Sequence, residues 1–317
     1  MTGLALADWI DPIFWRVTLG GTLRLATPIA FAALGETIAE RSGTLNLGVD
    51  GIMTAGALAA VLGASVGGWP AGLALAALIG MALGLGMAAA TLLGRANQVV
   101  TGIAVSLVSI GLTTYVFQLW QPSGQFMPLV SLAPTYRVPL LADIPFLGEA
   151  LFSQSVLTYG CAGLFALAAF ALSRTRIGLV LKASGDDPQA ALLRGVDVVK
   201  TRALALAFGG LAAGLGGAAI TVGFLGAYSD GVTAGRGYIA IAVVIIGRWS
   251  PIGALLGALL FAFFESLSLR VQGHFLALPN EAFSMLPYAV TLIVLALTAK
   301  SRAAPRQLGA PFDPSRS

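Results

Sequence analysis

Six polar side chains in two glycine-containing segments are the residues of this chain best suited to hold a solute. They are Asn46, Asp50, Thr54, Asp230, Thr233 and Arg236. The first segment, residues 40–56, lies between two long apolar runs and carries four glycines. Polar groups on an interrupted backbone are tolerated at membrane depth where they face protein or a water-filled cavity. The pattern therefore predicts that these six side chains line a substrate path through a membrane.

Residue types that perform catalysis or bind metal ions are sparse. The chain has one cysteine, Cys161, and one histidine, His274, which we place in an external loop. A disulfide within the chain, a cysteine-based metal cluster and a Ser–His–Asp constellation are therefore not predicted. No Gly-x4-Gly-Lys-Ser/Thr run occurs, so a nucleotide-binding loop of that kind is excluded. We predict no catalytic residue, no metal site and no cofactor in this chain.

The composition is that of a protein that crosses the bilayer several times. Of the 317 residues, 57% are hydrophobic and 10% are charged, whereas a soluble domain carries about 25% charged residues. Glycines spaced four apart, at Gly80 and Gly84 and at Gly253 and Gly257, are predicted to pack against neighbouring helices. A spanning helix needs about 20 apolar residues. We predict an all-α fold with about nine spans, at residues 13–38, 46–67, 70–93, 98–120, 153–173, 203–227, 231–248, 251–270 and 283–299.

The distribution of positive charge predicts on which side each loop lies. Residues 174–202 carry six Lys and Arg and residues 300–317 carry four, whereas the proline-rich loop 121–152 carries one. By the positive-inside rule, the first two are cytoplasmic and the third is outside. The chain, residues 1–317, is thus predicted to be one transmembrane domain. It divides into repeat one (about 13–120), the outer loop (121–152), a cytoplasmic loop (174–202), repeat two (about 203–299) and a cytoplasmic tail (300–317).

The two polar segments form an internal repeat with an offset of about 180 residues. Asp50-Gly51 and Thr54-Ala55-Gly56 recur as Asp230-Gly231 and Thr233-Ala234-Gly235, and Trp69-Pro70 recurs as Trp249-Ser250-Pro251. The predicted topology gives the helices that follow opposite directions, so the repeat is inverted. Inverted repeats place a substrate site near the midplane, at broken helices in matching positions. We expect helix breaks near Asp50 and Asp230, with the first segment in the inner half of the path and the second in the outer half. Chance similarity among small residues is the alternative.

Individual polar residues also have structural interpretations. Asp50 is also suited to cap its own helix by accepting a hydrogen bond from the N–H of Ile52 or Met53. Arg236 either pairs with Asp230 or lies at a lipid interface. Glu36 and Glu265, inside apolar runs, are predicted to form internal ion pairs or hydrogen bonds.

The cytoplasmic loop contains a short capped helix. Asp187 before Pro188 is typical of an N-cap followed by proline at the first helical position, and Gly195 is typical of a helix end. We predict that this helix docks into a groove on a cytoplasmic partner; a plain surface helix is the alternative. The residues assigned to this coupling segment are Gly185, Asp186, Asp187, Pro188, Ala190, Ala191, Arg194 and Gly195.

Residues 36–56, with the pattern Glu-Arg-Ser-Gly-x-Leu-Asn-Leu-Gly-x-Asp-Gly, resemble permease subunits of bacterial ATP-binding-cassette (ABC) importers for simple sugars, nucleosides and branched-chain amino acids. Residues 185–195, 233–240 and 247–251 are also similar to this family, and the resemblance covers about 20–300. It is nearest to the shorter permease of the nucleoside branch. The family commonly has a glutamate where Asp50 stands, so this chain has a shorter carboxylate there.

The resemblance implies an importer for a nucleoside or simple sugar in the bacterial plasma (inner) membrane, with the C-terminus in the cytoplasm. Its partners would be cytoplasmic ATPase subunits that use ATP and Mg, a second and different permease chain, a periplasmic or lipid-anchored solute-binding protein, and membrane lipid, with no nucleic acid. The permease itself would perform no chemistry. Alternatives are a branched-chain amino acid permease, an ion-coupled secondary transporter, which the inverted repeat alone also permits, and an intramembrane enzyme, which lacks a catalytic constellation.

Overall fold

The computed structural model describes residues 12–121, 129–144, 148–272, 283–298 and 304–310. In these ranges the chain is helical apart from loops and one antiparallel pair of short strands, β1 (Thr135–Arg137) and β2 (Ser153–Ser155). The helices are α1 (Pro12–Arg41), α2 (Val49–Ala88), α3 (Gln98–Trp120), α4 (Gly148–Phe152), α5 (Val156–Arg174), α6 (Arg176–Asp186), α7 (Pro188–Leu193), α8 (Val198–Ile220), α9 (Arg236–Ile246), α10 (Pro251–Val271) and α11 (Leu286–Thr298). The π-helical turns Ala89–Leu93 and Thr221–Leu225 extend α2 and α8.

The predicted all-α membrane fold is confirmed. Six helices are long and apolar enough to cross a membrane, and α9 and α11 are shorter apolar helices. The longest apolar stretch, Val49–Leu93, bends at Gly67 and Gly68 beside Pro70, where two separate spans were predicted. Gly68 has φ +71° and ψ −176°, a conformation essentially confined to glycine. With the two arms of α2 counted separately, the described residues contain nine apolar helical segments at the predicted positions. His274 lies outside the described residues.

Helix α8 forms the centre of the bundle, packed between α1 and α2. Its glycines let the backbones touch: a Cβ added to Gly217 would lie 1.9 Å from the Met53 carbonyl oxygen. Further along, added Cβ atoms on Gly80 and Gly84 would lie 2.2 Å from the Gly210 oxygen and 2.3 Å from the Leu206 oxygen. The prediction that Gly80 and Gly84 face a neighbouring helix is confirmed, and small residues here replace the interdigitated side chains of a soluble core.

The loops gather at two opposite ends of the bundle. At one end, which we call the basic end, Arg41 donates to the Trp249 carbonyl oxygen (2.6 Å), and the Gly309 N–H donates to the Gly43 carbonyl oxygen (3.2 Å). At the opposite end the loop before β1 covers the end of α8, where the Val130 N–H donates to the Gly226 carbonyl oxygen (2.9 Å).

Helix α6 was not predicted, because residues 174–202 were treated as a loop with a single short helix. One face of α6, with Gly178, Leu181 and Ser184, is buried, whereas the apolar side chains of Ile177 and Leu179 are exposed. Such a helix suits the surface of a bilayer, with its buried face on the bundle. It leads directly into α7.

Candidate functional site

Two helix N-termini meet at the polar segments. The Asp50 side chain lies in the first turn of α2, and its Oδ1 accepts a hydrogen bond from the N–H of Gly237 in the first turn of α9 (3.0 Å). The Thr233 hydroxyl donates to the other carboxylate oxygen (3.5 Å) and lies 3.2 Å from the Thr54 hydroxyl. Helix N-termini expose unpaired N–H groups and a partial positive charge, which a carboxylate satisfies. One side chain thus ties the two repeats together.

The approach of the two helices is too close for any side chain on Gly237. A Cβ added there would lie 2.4 Å from the Asp50 Cα and 2.5 Å from its backbone nitrogen. Thr54 and Thr233 are 3% exposed and Asp50 is 6% exposed. The contact therefore closes the bundle at this level in the conformation described.

The meeting point lies near half depth. The Gly51 N–H donates to Ser106 (3.1 Å), and Ser106 lies eight residues, or about 12 Å, along α3 from its start at the basic end. From Gly237, the nine further residues of α9 to Ile246 extend about 14 Å to the same end. A hydrocarbon core is about 30 Å thick. The two segments meet at this level, whereas the Leu45 N–H donates to Gln98 at the start of α3 (2.8 Å) and Asp230 accepts from Thr114, about 24 Å further along α3 (3.2 Å). The expectation that the first segment lies in the inner half of the path and the second in the outer half stays a prediction.

Asp50 does not cap its own helix. The N-cap of α2 is Gly48, without a side-chain hydrogen bond, and the Asp50 carboxylate reaches the other helix instead. The interpretation of Asp50 as a cap for Ile52 or Met53 is wrong, because the Ile52 N–H donates to the Gly48 carbonyl oxygen (3.0 Å) and the Asp50 carboxylate accepts from the Gly237 N–H.

The remaining residues of the second segment have other partners than predicted. Arg236 forms an ion pair with Glu265 of α10 (2.7 Å), with 16% and 21% of the two side chains exposed. The predicted pairing of Arg236 with Asp230 is therefore wrong, while the internal ion pair of Glu265 is confirmed. Asp230 is exposed and accepts a hydrogen bond from the Thr114 hydroxyl (3.2 Å).

Asn46 lies fully buried between α1 and α2. Its amide donates to Glu36 Oε1 (2.8 Å), and its carbonyl oxygen accepts from the Gly48 N–H (3.0 Å). The internal hydrogen bond predicted for Glu36 is confirmed. In this conformation Asn46 joins the end of one helix to the start of the next.

A buried arginine at the basic end connects this region to the coupling segment. Arg202 is 0% exposed; it donates to the carbonyl oxygens of Ser42 and Ser184, both at 3.0 Å. A Cβ added to Gly185 would lie 2.3 Å from the Arg41 carbonyl oxygen. Sequence analysis missed this role, because an arginine at the start of an apolar helix is an ordinary positive-inside signal. The loop before α2 and the segment before α7 are therefore in direct contact.

Helix α7 has the predicted caps. The Asp187 carboxylate accepts from the Ala190 N–H (2.9 Å), Pro188 is the first helical residue, and Gly195 ends the helix with φ +81°. Ala191 is 4% exposed and faces the bundle, whereas Leu193 is 83% exposed. An apolar side chain presented in this way is suited to insertion into a partner.

A family model supplies the comparison that decides the class of this protein. The family described as branched-chain amino acid transport system / permease component matches residues 18–295. The chain belongs to this family. It is therefore a multi-pass membrane transport subunit rather than an enzyme.

Three relatives show what this permease is similar to. The nucleoside ABC transporter permease protein NupC of Lactococcus lactis is 33% identical over 95% of this chain and 98% of its own length. The putative glucose ABC transporter permease protein TsgC13 of Haloferax volcanii is 36% identical over 87% and 90%. The nucleoside ABC transporter permease protein NupB, from the same Lactococcus strain as NupC, is 28% identical over 78% and 71%. The resemblance to ABC permeases is confirmed.

Proposed function

We propose that this permease forms, within an ABC importer of the bacterial inner membrane, the path for a nucleoside or a simple sugar, with its C-terminus in the cytoplasm. The observation that carries the proposal is the bond between Asp50 and the Gly237 N–H at half depth, where two broken helices meet. Transporters of inverted repeats bind and gate their substrates at such helix ends. Asn46, Asp50, Thr54, Asp230, Thr233 and Arg236 are the proposed pathway residues.

The charges at the meeting point favour a neutral solute. Asp50, Thr54 and Thr233 offer hydrogen-bonding groups, and Arg236, the one cation beside them in the described part of the chain, is already paired with Glu265. The carboxylate of an amino acid would need the N–H at the start of α9 that Asp50 already occupies, so the branched-chain amino acid alternative is less favoured. The names of NupC and TsgC13, a nucleoside and a putative glucose permease respectively, agree with a polar and uncharged substrate.

The proposed coupling runs from α7 to Asp50. An ATPase that moves α7 acts on Ser184 and Gly185. Gly185 touches Arg41, and the Arg202 side chain joins Ser184 to Ser42 in the loop 42–48. That loop is continuous with the first turn of α2. Movement of the loop therefore strains the bond between Asp50 and Gly237 and opens the path.

The proposed assembly contains two cytoplasmic ATPases that use ATP and Mg, a second permease of different sequence, and a periplasmic or lipid-anchored binding protein. NupB and NupC of one Lactococcus strain, both similar to this chain, support the pairing of two different permeases.

Reconstitution tests the class of transporter and its substrate. Proteoliposomes with the permease pair, the ATPase and the binding protein should take up labelled nucleoside or hexose only with ATP, and leucine should not compete. Uptake that persists without the ATPase, driven by a proton or sodium gradient, would show a secondary transporter instead. Competition by leucine alone would favour an amino-acid permease.

Leu193→Asp should weaken binding of the ATPase about tenfold or more, because burying a leucine side chain contributes roughly 1.5–3 kcal/mol. The side chain is 83% exposed, so the fold of the free permease should be unchanged. Leu193→Met is the matched control and should bind like the wild type. The measurement is titration of the detergent-solubilised permease pair with labelled ATPase; equal affinities for all three proteins would contradict a coupling role for α7.

A further inference from the structure

The described part of the C-terminal tail, residues 304–310, is bound across the basic end by its backbone. We call this segment the clasp. The Gln307 N–H donates to the Gly185 carbonyl oxygen (3.0 Å) and the Gly309 N–H to the Gly43 carbonyl oxygen (3.2 Å). The Ala310 carbonyl oxygen accepts from the Gln98 amide (3.4 Å). Pro305 is buried and Leu308 packs against the main apolar core.

The partners of the clasp belong to three separate parts of the chain. Gly185 precedes α7, Gly43 lies in the loop before α2, and Gln98 begins α3. The Gln98 side chain also accepts a hydrogen bond from the Leu45 N–H (2.8 Å). The clasp therefore joins the coupling segment to the loop that leads to Asp50, alongside Arg202.

The clasp lies next to the capped end of α7 and adds a positive charge to the same surface. The Arg306 N–H lies 3.4 Å from Asp186 Oδ1, one residue before the Asp187 cap. The carboxylates of this surface are engaged with the backbone: Asp187 accepts from the Ala190 N–H and Asp197 from the Lys200 N–H, both at 2.9 Å. Arg306 and Arg194 are exposed. Asp186, Asp187 and Asp197 are exposed and keep their negative charge, so the surface carries both signs, with the Arg194 and Arg306 side chains among its exposed hydrogen-bond donors beside α7.

We propose that the clasp is a second half of the ATPase docking surface, with the Arg306 side chain opposite a carboxylate on the ATPase. The inference rests on the proposed ABC function. The complementary partner carries a carboxylate opposite Arg306 and an apolar groove that takes Leu193. Because the clasp is bonded to both Gly185 and Gly43, an ATPase that holds it moves the coupling segment and the loop before α2 as one body.

Charge reversal at Arg306 tests the docking surface. In the permease pair, Arg306→Glu should weaken ATPase binding about tenfold in 50 mM salt, and the difference should shrink in 500 mM salt, where screening is strong. Arg306→Lys should bind like the wild type. Arg174→Glu, the same change at an exposed arginine at the end of α5, is the matched control and should have no effect. Equal affinities for wild type and Arg306→Glu would overturn the proposal.

Detachment of the clasp is a second, independent test. Leu308→Asp places a charge where Leu308 packs against the apolar core, so the clasp should detach. In a hydrogen-exchange measurement, the peptide covering 304–310 should then exchange its amide hydrogens faster, while peptides from α7 remain protected. We expect ATPase affinity to fall at least as far as in Arg306→Glu, with a parallel loss of substrate-stimulated hydrolysis. A released clasp with unchanged affinity and hydrolysis would overturn the proposal.

The two proposals fail in different ways. If the wild-type permease pair binds no ATPase, the ABC function and the docking surface both fail. A second pattern is that the wild type binds the ATPase, Leu193→Asp weakens this binding, and Arg306→Glu and Leu308→Asp bind the ATPase like the wild type. In that case only the role of the clasp fails.

Discussion

Gly84→Val should destabilise the folded permease by roughly 3 kcal/mol or more, whereas Gly86→Val, two residues further along the same helix, should change its stability by less than about 1 kcal/mol. A Cβ at Gly84 would lie 2.3 Å from the Leu206 carbonyl oxygen, and the clash is with backbone, which cannot rotate away. Gly86 is exposed and has no atom within 4 Å of an added Cβ. The larger side chain must push α2 away from α8 at the centre of the bundle.

The measurement is thermal unfolding in detergent, followed by size-exclusion chromatography of heated samples. We expect the apparent midpoint of Gly84→Val to fall by roughly 5–10 °C and that of Gly86→Val to stay near the wild type. Both variants place the same β-branched residue in the same helix. The difference between their unfolding midpoints therefore reports the packing of α2 against α8 and not the helix propensity of valine. Equal midpoints would show that α2 and α8 do not cross as closely as described.

Asp50→Ala should lower nucleoside uptake about 100-fold, which corresponds to roughly 2.7 kcal/mol. The change removes a buried carboxylate that accepts from the Gly237 N–H and the Thr233 hydroxyl. An unsatisfied buried donor costs about 1–3 kcal/mol, and a charge-assisted bond is stronger than a neutral one. Without the carboxylate, the two helix ends lose the bond that closes the path. The permease then no longer alternates between closed and open states, and uptake falls. Asp50→Asn keeps an acceptor oxygen and should lose less than about tenfold.

The comparison for Asp50 comes from the repeat itself. Asp230, the matching pathway residue, is exposed and accepts a hydrogen bond from Thr114. Because Asp230→Ala leaves no buried donor unsatisfied, it should reduce uptake far less than Asp50→Ala, by about threefold. Uptake in proteoliposomes, together with recovery of the assembled complex, separates the outcomes. Normal uptake by Asp50→Ala would contradict the gating role, and loss of the assembled complex would show that Asp50 is only structural.

Local patterns determined the elements of this protein. Apolar runs of about 20 residues predicted the membrane helices because each must satisfy its backbone internally. The break beside Pro70 and the caps of α7 were predicted for similar reasons, since the Asp187 carboxylate and Gly195 act on neighbours in the chain. The family resemblance of residues 36–56 also depends on sequence alone.

Only the tertiary structure decided which polar groups meet. Asp50 bonds to Gly237, Arg236 pairs with Glu265 rather than Asp230, and Arg202 reaches Ser42 and Ser184. The repeat identified Asp50 and Asp230 as equivalent in sequence, yet one is buried at a helix junction and the other is exposed. Helix periodicity does not specify these pairings, because a polar group in a membrane protein takes whichever donor or acceptor the packing of distant helices brings within reach. That packing, in turn, depends on where glycines allow α2 and α8 to touch.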